Sequence, residues 1–349
     1  MTSQTGLQVS APPALVRCRT LVEPALRAAV RGLHPLPRRM ASFSLGWCDA
    51  DGTPSAAPGG KGVRQALAVL GAEAVGAAGD VAVPAAVAVE LVHTFSLVHD
   101  DIMDGDERRR HRDTAWKAFG TGPAVLTGDA LFALAVQTLA RTGGEHGGEA
   151  VRLLAEALGE LVHGQADDLL FEARPWVGPD AVGISEYRAM AGRKTGSLLG
   201  CATALGPVLA GAPPLLVGAL AEAGRQLGLA FQAVDDLLGI WGDPLTTGKP
   251  VHSDLRRRKK TLPVLAAMAL DPAAGRRLAA LLGPGGPVEE ADARRAADLV
   301  EEAGGRAFAL AEARRHAAAA HACLRGVPLA EHAVGELVAL SEYLVERQL

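Results

Sequence analysis

Strand-like alternation of apolar and polar residues is absent from this chain, and its apolar residues recur at helical spacing instead. Leu15, Leu21, Val22, Leu26 and Val30 begin the pattern, and His34-Pro-Leu-Pro37 stops it. A chain patterned this way buries its apolar surface by laying helix on helix, so the expected fold is all-α. Ala, Leu and Val must then fill the interior, because hydrophobic residues make up 49% of the sequence and aromatics only 4%. No unit repeats with a period of about 20 to 50 residues, which argues against a solenoid. The expected organisation is a disordered start over residues 1–14 and a single helical domain over residues 15–349.

Breaks divide the chain further. A Gly/Pro/Ser-rich linker runs from Asp51 to Gly60, and a Gly/Pro cluster at Gly283–Pro287 precedes a long Ala-rich amphipathic pattern that reads as scaffold. Residues Ser197 to Leu220 are uncharged and long enough to span a bilayer. Gly206-Pro207 and Gly211-Ala212-Pro213-Pro214 are expected to cut that stretch into short buried helices, so no transmembrane span is expected. Cys18, Cys48, Cys201 and Cys323 form no C-x-x-C pair, which suggests neither zinc nor a disulfide framework and fits a reducing cytoplasm. With a net charge of −4 and no aromatic-interleaved basic stripe, nucleic acid is not an expected partner.

The chemistry concentrates at the end of one apolar run, Glu90 to Arg110. On an ideal helix Asp104 lies ~40° round from Asp100, Asp101 ~100°, and His93 ~20°, two turns below. Three carboxylates and an imidazole therefore share a face. Two carboxylates ~6 Å apart repel by roughly 3 kcal/mol at an effective dielectric of about 20, so a counter-charge belongs there. Mg²⁺ suits such a place, since it prefers oxygen ligands and shares its coordination with water and phosphate. Taken alone, D-D-x-x-D reads equally as a solvated acidic helix end.

A second acidic segment shifts that balance. Gln232, Asp235 and Asp236 share a helix face, and Gly248-Lys249 and Lys259 follow. Gly59-Gly60-Lys61-Gly62-Val63-Arg64 stands directly before an apolar helix, where glycines, amides and two cations make an anion site or an ordinary flexible loop. Arg108-Arg109-Arg110 either pairs with the preceding carboxylates or supplies forks for phosphate. Lys194-Thr195 sits among small residues, as a phosphate grip or a snorkelling lysine. Gly164-Gln165-Ala166-Asp167-Asp168 reads as a buried network or as part of catalysis, and Thr127-Gly128-Asp129 lies near a helix start.

Together these motifs resemble the trans (E)-isoprenyl diphosphate synthases, the farnesyl/geranylgeranyl diphosphate synthase family, over roughly residues 15–349. Residues 59–64 look like the family's Gly-Gly-Lys-x-x-Arg, Asp100–Asp104 like its first aspartate-rich motif, and Phe231–Asp236 like its Phe-Gln-x-x-Asp-Asp. The resemblance implies one helical bundle around a deep central pocket, usually a homodimer. It implies that Lys61, Arg64, His93 and Arg110 hold isopentenyl diphosphate, while Arg109, Lys194, Thr195, Gln232, Lys249 and Lys259 face the allylic diphosphate. Asp100, Asp104 and Asp235 would bind Mg²⁺, about three ions with substrate present, with Asp101 and Asp236 in support. Cations and metal would stabilise the departing diphosphate, and the isopentenyl double bond would attack the allylic cation.

Several positions depart from the family pattern. Gly239 stands where the second motif usually has its third Asp, with Asp243 one turn on; Gly62 and Gln65 replace an Arg and a Pro; His111 and Trp116 replace a Gly and a His. Two rival readings remain: a terpene cyclase, which would need a Ser/Thr at Gly239 and a Glu at Asp243, and a non-catalytic subunit that modifies a partner synthase. For product length, the prenyl chain would run past Ser96, ~6 Å below Asp100, Phe95, ~7.5 Å below, and Val92, ~12 Å below. A single ring at Phe95 beside a small Ser96 resembles a geranylgeranyl (C20) producer, with farnesyl (C15) next; core packing is the alternative role of Phe95.

Overall fold

The computed structural model describes residues 11–55, 60–142, 144–244, 248, 250–283 and 288–346. Its elements, apart from one two-residue ribbon, are helices. Helix α1 spans Pro13–Arg31, α2 Pro35–Ser44, α3 Val63–Ala74 and α4 Val83–Met103. After the ribbon come α5 (Ala115–Phe119), α6 (Thr121–Ala140), α7 (Gly147–Ala173), α8 (Ile184–Ala191), α9 (Ser197–Leu209) and α10 (Pro214–Trp241). The chain closes with α11 (Ser253–Arg256), α12 (Leu262–Leu270), α13 (Pro272–Leu282), α14 (Glu290–Glu302), α15 (Gly305–Arg325) and α16 (Glu331–Glu346).

One N-terminal expectation changes. Pro13 and Ala14 already belong to α1, with Ala14 2% exposed; the rest of the expected disordered start, residues 1–10, lies outside the described residues. The all-α reading holds; among the described residues its exceptions are an isolated bridge between Cys48 and Pro54 and the antiparallel ribbon of β1 (Arg108–Arg109) and β2 (Arg112–Asp113). Two-residue strands are too short to show alternation. Their turn takes left-handed φ at Arg110 (50°) and His111 (64°), the geometry of a tight hairpin.

The largest buried cluster joins α1, α3, α4, α6, α7, α9, α10 and α16 through residues such as Leu67, Leu91, Leu131, Leu154, Leu205 and Leu220. A second cluster forms where α8, α10, α12 and α15 meet around Tyr187, Val234 and Leu262. Gly206-Pro207 does not break α9, contrary to expectation; only the Gly211–Pro213 turn does. The reason is a close crossing: a Cβ on Gly206 would overlap the Ala68 carbonyl, and one on Gly71 would overlap the Thr203 carbonyl. Helices α3 and α9 thus touch backbone to backbone. Helix α4 and the short 3₁₀ turn before it, Gly79–Met103, are apolar enough to cross a membrane, as is α6, but 67% of the apolar window that includes α4 is buried inside the fold.

Candidate active site

Helix α4 is capped at its end by Asp104, whose amide donates to Asp100 O at 2.8 Å. That last turn leaves Asp100 and Asp104 half-buried on one side. Asp101 points elsewhere; it is 5% exposed and accepts a 2.8 Å bond from Arg109 Nε. Its support role is therefore structural, holding the ribbon against the helix end. Asp104 takes Lys259 Nζ at 2.9 Å, so the first acidic motif is joined to a cation from the loop between α11 and α12. Lys259 lies in that loop and not in a helix, since α12 begins only at Leu262. Arg257, on the same loop, pairs with the buried Asp106.

The two neighbouring carboxyls are driven apart. Burial pushes Asp100 above the usual carboxylate range, Lys194 opposes this, and the charge of Asp104 adds to the rise. Burial also raises Asp104, but the Lys259 ion pair outweighs it and Asp104 ends below the usual range. Of the two, Asp100 is thus the carboxylate in greater need of a further cation.

Lys194 and Thr195 lie on a π-helical turn, Gly192–Gly196, between α8 and α9. Inserted residues of this kind re-aim side chains at functional sites. Gly164 on α7 makes room for the turn, since a Cβ there would overlap the Lys194 backbone, and Gly228 does the same opposite Gly196. Lys194 Nζ meets Asp168 Oδ2 at 2.6 Å. Burial works against the lysine's charge, but Asp168 and Asp100 together hold its pKa above the ordinary value. Asp168, read in the sequence as network or catalysis, is the lysine's anchor.

On α10 the adjacent aspartates separate in role. Asp236 is 4% exposed and receives Gln232 Nε2 at 3.0 Å, Leu262 N at 2.7 Å and the Tyr187 hydroxyl. Burial still pushes its carboxyl up to about 7. Gln232 Oε1 in turn accepts from Thr195 Oγ1 at 2.7 Å. Asp236 therefore ties α8, α10, α12 and the π-turn into one frame, and Asp235 is exposed beside it. Tyr187 is a member that sequence reasoning missed, because a lone tyrosine carries no motif.

The basic end is built by α3 and the ribbon. Gly62 caps α3 with φ 69°, a left-handed conformation that favours glycine over the arginine of the family pattern. Arg64 follows in the first turn, its Nε buried without a hydrogen-bond partner among the described residues. Burial lowers its pKa to about 10, with Glu90 pulling the other way and Arg110 adding to the fall. His93 is held well below its usual pKa by burial and then by Arg64, Arg110 and Arg109, so it is neutral. Gly60 lies against Arg110 and Glu90, Lys61 is exposed, and Gly248 backs onto the Arg110 main chain. Lys249 lies outside the described residues. Trp116 donates Nε1 to Asp106 O at 2.8 Å, so the residue that departs from the family's His braces the turn after α4.

The residues expected to set product length occupy three different settings. Phe95 is 9% exposed and packs edge-on against His99 at 5.1 Å and Phe132 at 5.7 Å. Ser96 is half-buried, its Oγ donating to His93 O at 2.9 Å, and Val92 is sealed in the core.

Among the described residues no three Asp, Glu, His or Cys side chains converge to hold a metal unaided. Mg²⁺ does not require that, since one or two carboxylates plus substrate phosphates suffice. All-oxygen donors at two separated places, and an arginine nitrogen buried without an acceptor, fit a metal-bridged polyanion. A helical bundle with these acidic motifs facing a basic end at Arg64, Arg109 and Arg110 has the features of a prenyl-diphosphate-forming transferase. The model of the family described as polyprenyl synthetase matches residues 48–300, and the chain belongs to that family. It is 46% identical over 344 residues to the (2E,6E)-farnesyl diphosphate synthase of Mycobacterium tuberculosis (strain H37Rv), covering 96% of this chain and 93% of that one. It is 42% identical over 337 residues to the geranylgeranyl diphosphate synthase of the same organism, with the same two coverages of 96% and 93%. The crystal structure of a polyprenyl synthetase from Streptomyces coelicolor A3(2) superposes with a TM-score of 0.88 at 48% identity, over 95% of this chain and 98% of that one.

Proposed function

We propose that the chain condenses isopentenyl diphosphate with an allylic diphosphate, with Mg²⁺, to give a short-chain trans-prenyl diphosphate. Geranylgeranyl (C20) is the product proposed, with farnesyl (C15) next; relatives named for both lengths resemble the chain closely. The observation that carries the reading is the buried Arg64 Nε, without a hydrogen-bond partner among the described residues, near Arg110 and a neutral His93. A buried cationic donor left without an acceptor there is suited to a polyanion.

Arg64, Arg110, Lys61 and His93 bind the isopentenyl diphosphate, the neutral imidazole donating a hydrogen bond without adding charge. Lys194, Thr195, Gln232, Lys259 and Arg109 orient the allylic diphosphate. Asp100, Asp104 and Asp235 would hold Mg²⁺, which when bound neutralises the diphosphate oxygens as charge grows on them. The allylic C–O bond breaks with its electron pair on the diphosphate, the isopentenyl double bond attacks the allylic carbon, and a proton passes to the departing diphosphate. Ala, Leu and Val walls keep water from the cation. Val125, Leu126 and Phe132 are exposed along α6 and offer an apolar face for a homodimer, which we place in the cytoplasm. Incubation with isopentenyl diphosphate and dimethylallyl, geranyl or farnesyl diphosphate should release diphosphate only when Mg²⁺ is supplied. Absence of release with every primer overturns the reading in favour of a non-catalytic subunit.

A further inference from the structure

Position 239 lies one turn beyond Asp235 on the same face of α10, where the family pattern has a carboxylate and this chain has glycine. Gly239 is not among the positive-φ glycines, so backbone conformation does not call for it. Space does. A Cβ on Gly239 would overlap the Asp254 side chain at both Cγ and Oδ2, so the carboxyl group of Asp254 rests where a side chain of residue 239 would begin.

The main chain builds this placement. Helix α10 ends at Trp241, leaving the carbonyls of Gly239 and Ile240 without partners inside the helix. The His252 amide donates to Ile240 O at 3.1 Å, and Ser253 Oγ donates to Gly239 O at 3.2 Å. Those two bonds dock the start of α11 across the end of α10, and His252, at φ 61°, turns the chain into it. Asp254 is half-buried there, at the negative end of the α10 dipole, which adds to the attraction for a cation. Asp243 is exposed beyond the Gly242 cap.

We infer that Asp254 supplies the carboxylate missing at position 239, completing with Asp235 the oxygen set for the Mg²⁺ that carries the allylic diphosphate. The inference rests on the synthase reading above. Restoring Asp at 239 alone would crowd two carboxylates into one place.

The test is calorimetric titration of inorganic diphosphate into purified protein across a Mg²⁺ series, with thermal melts as a fold check. Wild type should bind diphosphate in a Mg²⁺-dependent manner. Asp254→Asn, which keeps the shape, should raise the Mg²⁺ concentration needed by about 10- to 100-fold. Gly239→Asp should also bind weakly, whereas Gly239→Asp combined with Asp254→Gly should recover most of the Mg²⁺ dependence. Normal Mg²⁺ dependence in Asp254→Asn, or no recovery in a folded double variant, overturns the inference and leaves the synthase reading standing. A wild type that binds no diphosphate with Mg²⁺ removes both.

Discussion

Lys194 Nζ stands 2.6 Å from Asp168 Oδ2, and its charge is also felt by Asp100 on the far helix. The lysine is thus held by α7 while it serves α4. Asp168→Ala should release it to pair with Asp100, lowering kcat/KM for the allylic substrate about 10- to 100-fold, the scale of one charge-assisted hydrogen bond worth about 1.5–3 kcal/mol. Steady-state kinetics with each substrate varied will check this; an equal loss for isopentenyl diphosphate would assign Asp168 to overall folding instead.

Asp100→Ala and Asp104→Ala should each reduce turnover by about 10²- to 10³-fold, the range seen when one group aimed at developing charge is removed. Melting temperatures should stay near wild type, because both residues are half-buried at a site edge. Diphosphate release at saturating Mg²⁺ is the measurement, and near-normal rates in either variant would remove the metal assignment.

Asp236 sets a pH signature. Its folded pKa of about 7 lies above the ordinary 3.8, so the folded state binds more protons than the unfolded state between those values. The stability this group contributes is fully present below about 3.8 and is lost as pH rises through about 7. Melting of wild type should therefore fall relative to Asp236→Asn between pH 5 and pH 7, with the gap constant at higher pH. Parallel melting curves across that interval would contradict the shift.

His111 occupies left-handed backbone, at φ 64°, where the family pattern has glycine. His111→Gly should stabilise the fold by about 0.5–1 kcal/mol, the left-handed cost less the added freedom of glycine when unfolded. Urea unfolding will show it as a higher midpoint.

Phe95→Ala should lengthen the product and Ser96→Phe shorten it, read by chromatography of dephosphorylated products. Unchanged products in both variants would leave Phe95 as packing against His99 and Phe132, the role its edge contacts already describe.

The helical class and both acidic motifs were legible because they are local: spacing alone puts Asp100 and Asp104 on one side of α4 and Gln232 beside Asp236 on α10. The pairings were not. Asp168 with Lys194, Tyr187 with Asp236 and Asp254 over Gly239 join residues far apart in sequence, and no periodicity encodes them. Gly206-Pro207 misled for a related reason: its signal is that of a turn, and the tertiary need for a close crossing overrode it.

That crossing has a consequence for how such enzymes diversify. Arg64 lies in the first turn of α3, and Lys194 and Thr195 stand just before α9, so the interlocked main chains at Gly71 and Thr203 and at Gly206 and Ala68 would act as a fixed ruler between the two proposed diphosphate grips. On the proposed reading, side chains lining the hydrocarbon tail could drift, and product size with them, while the distance between the reacting ends stays constant.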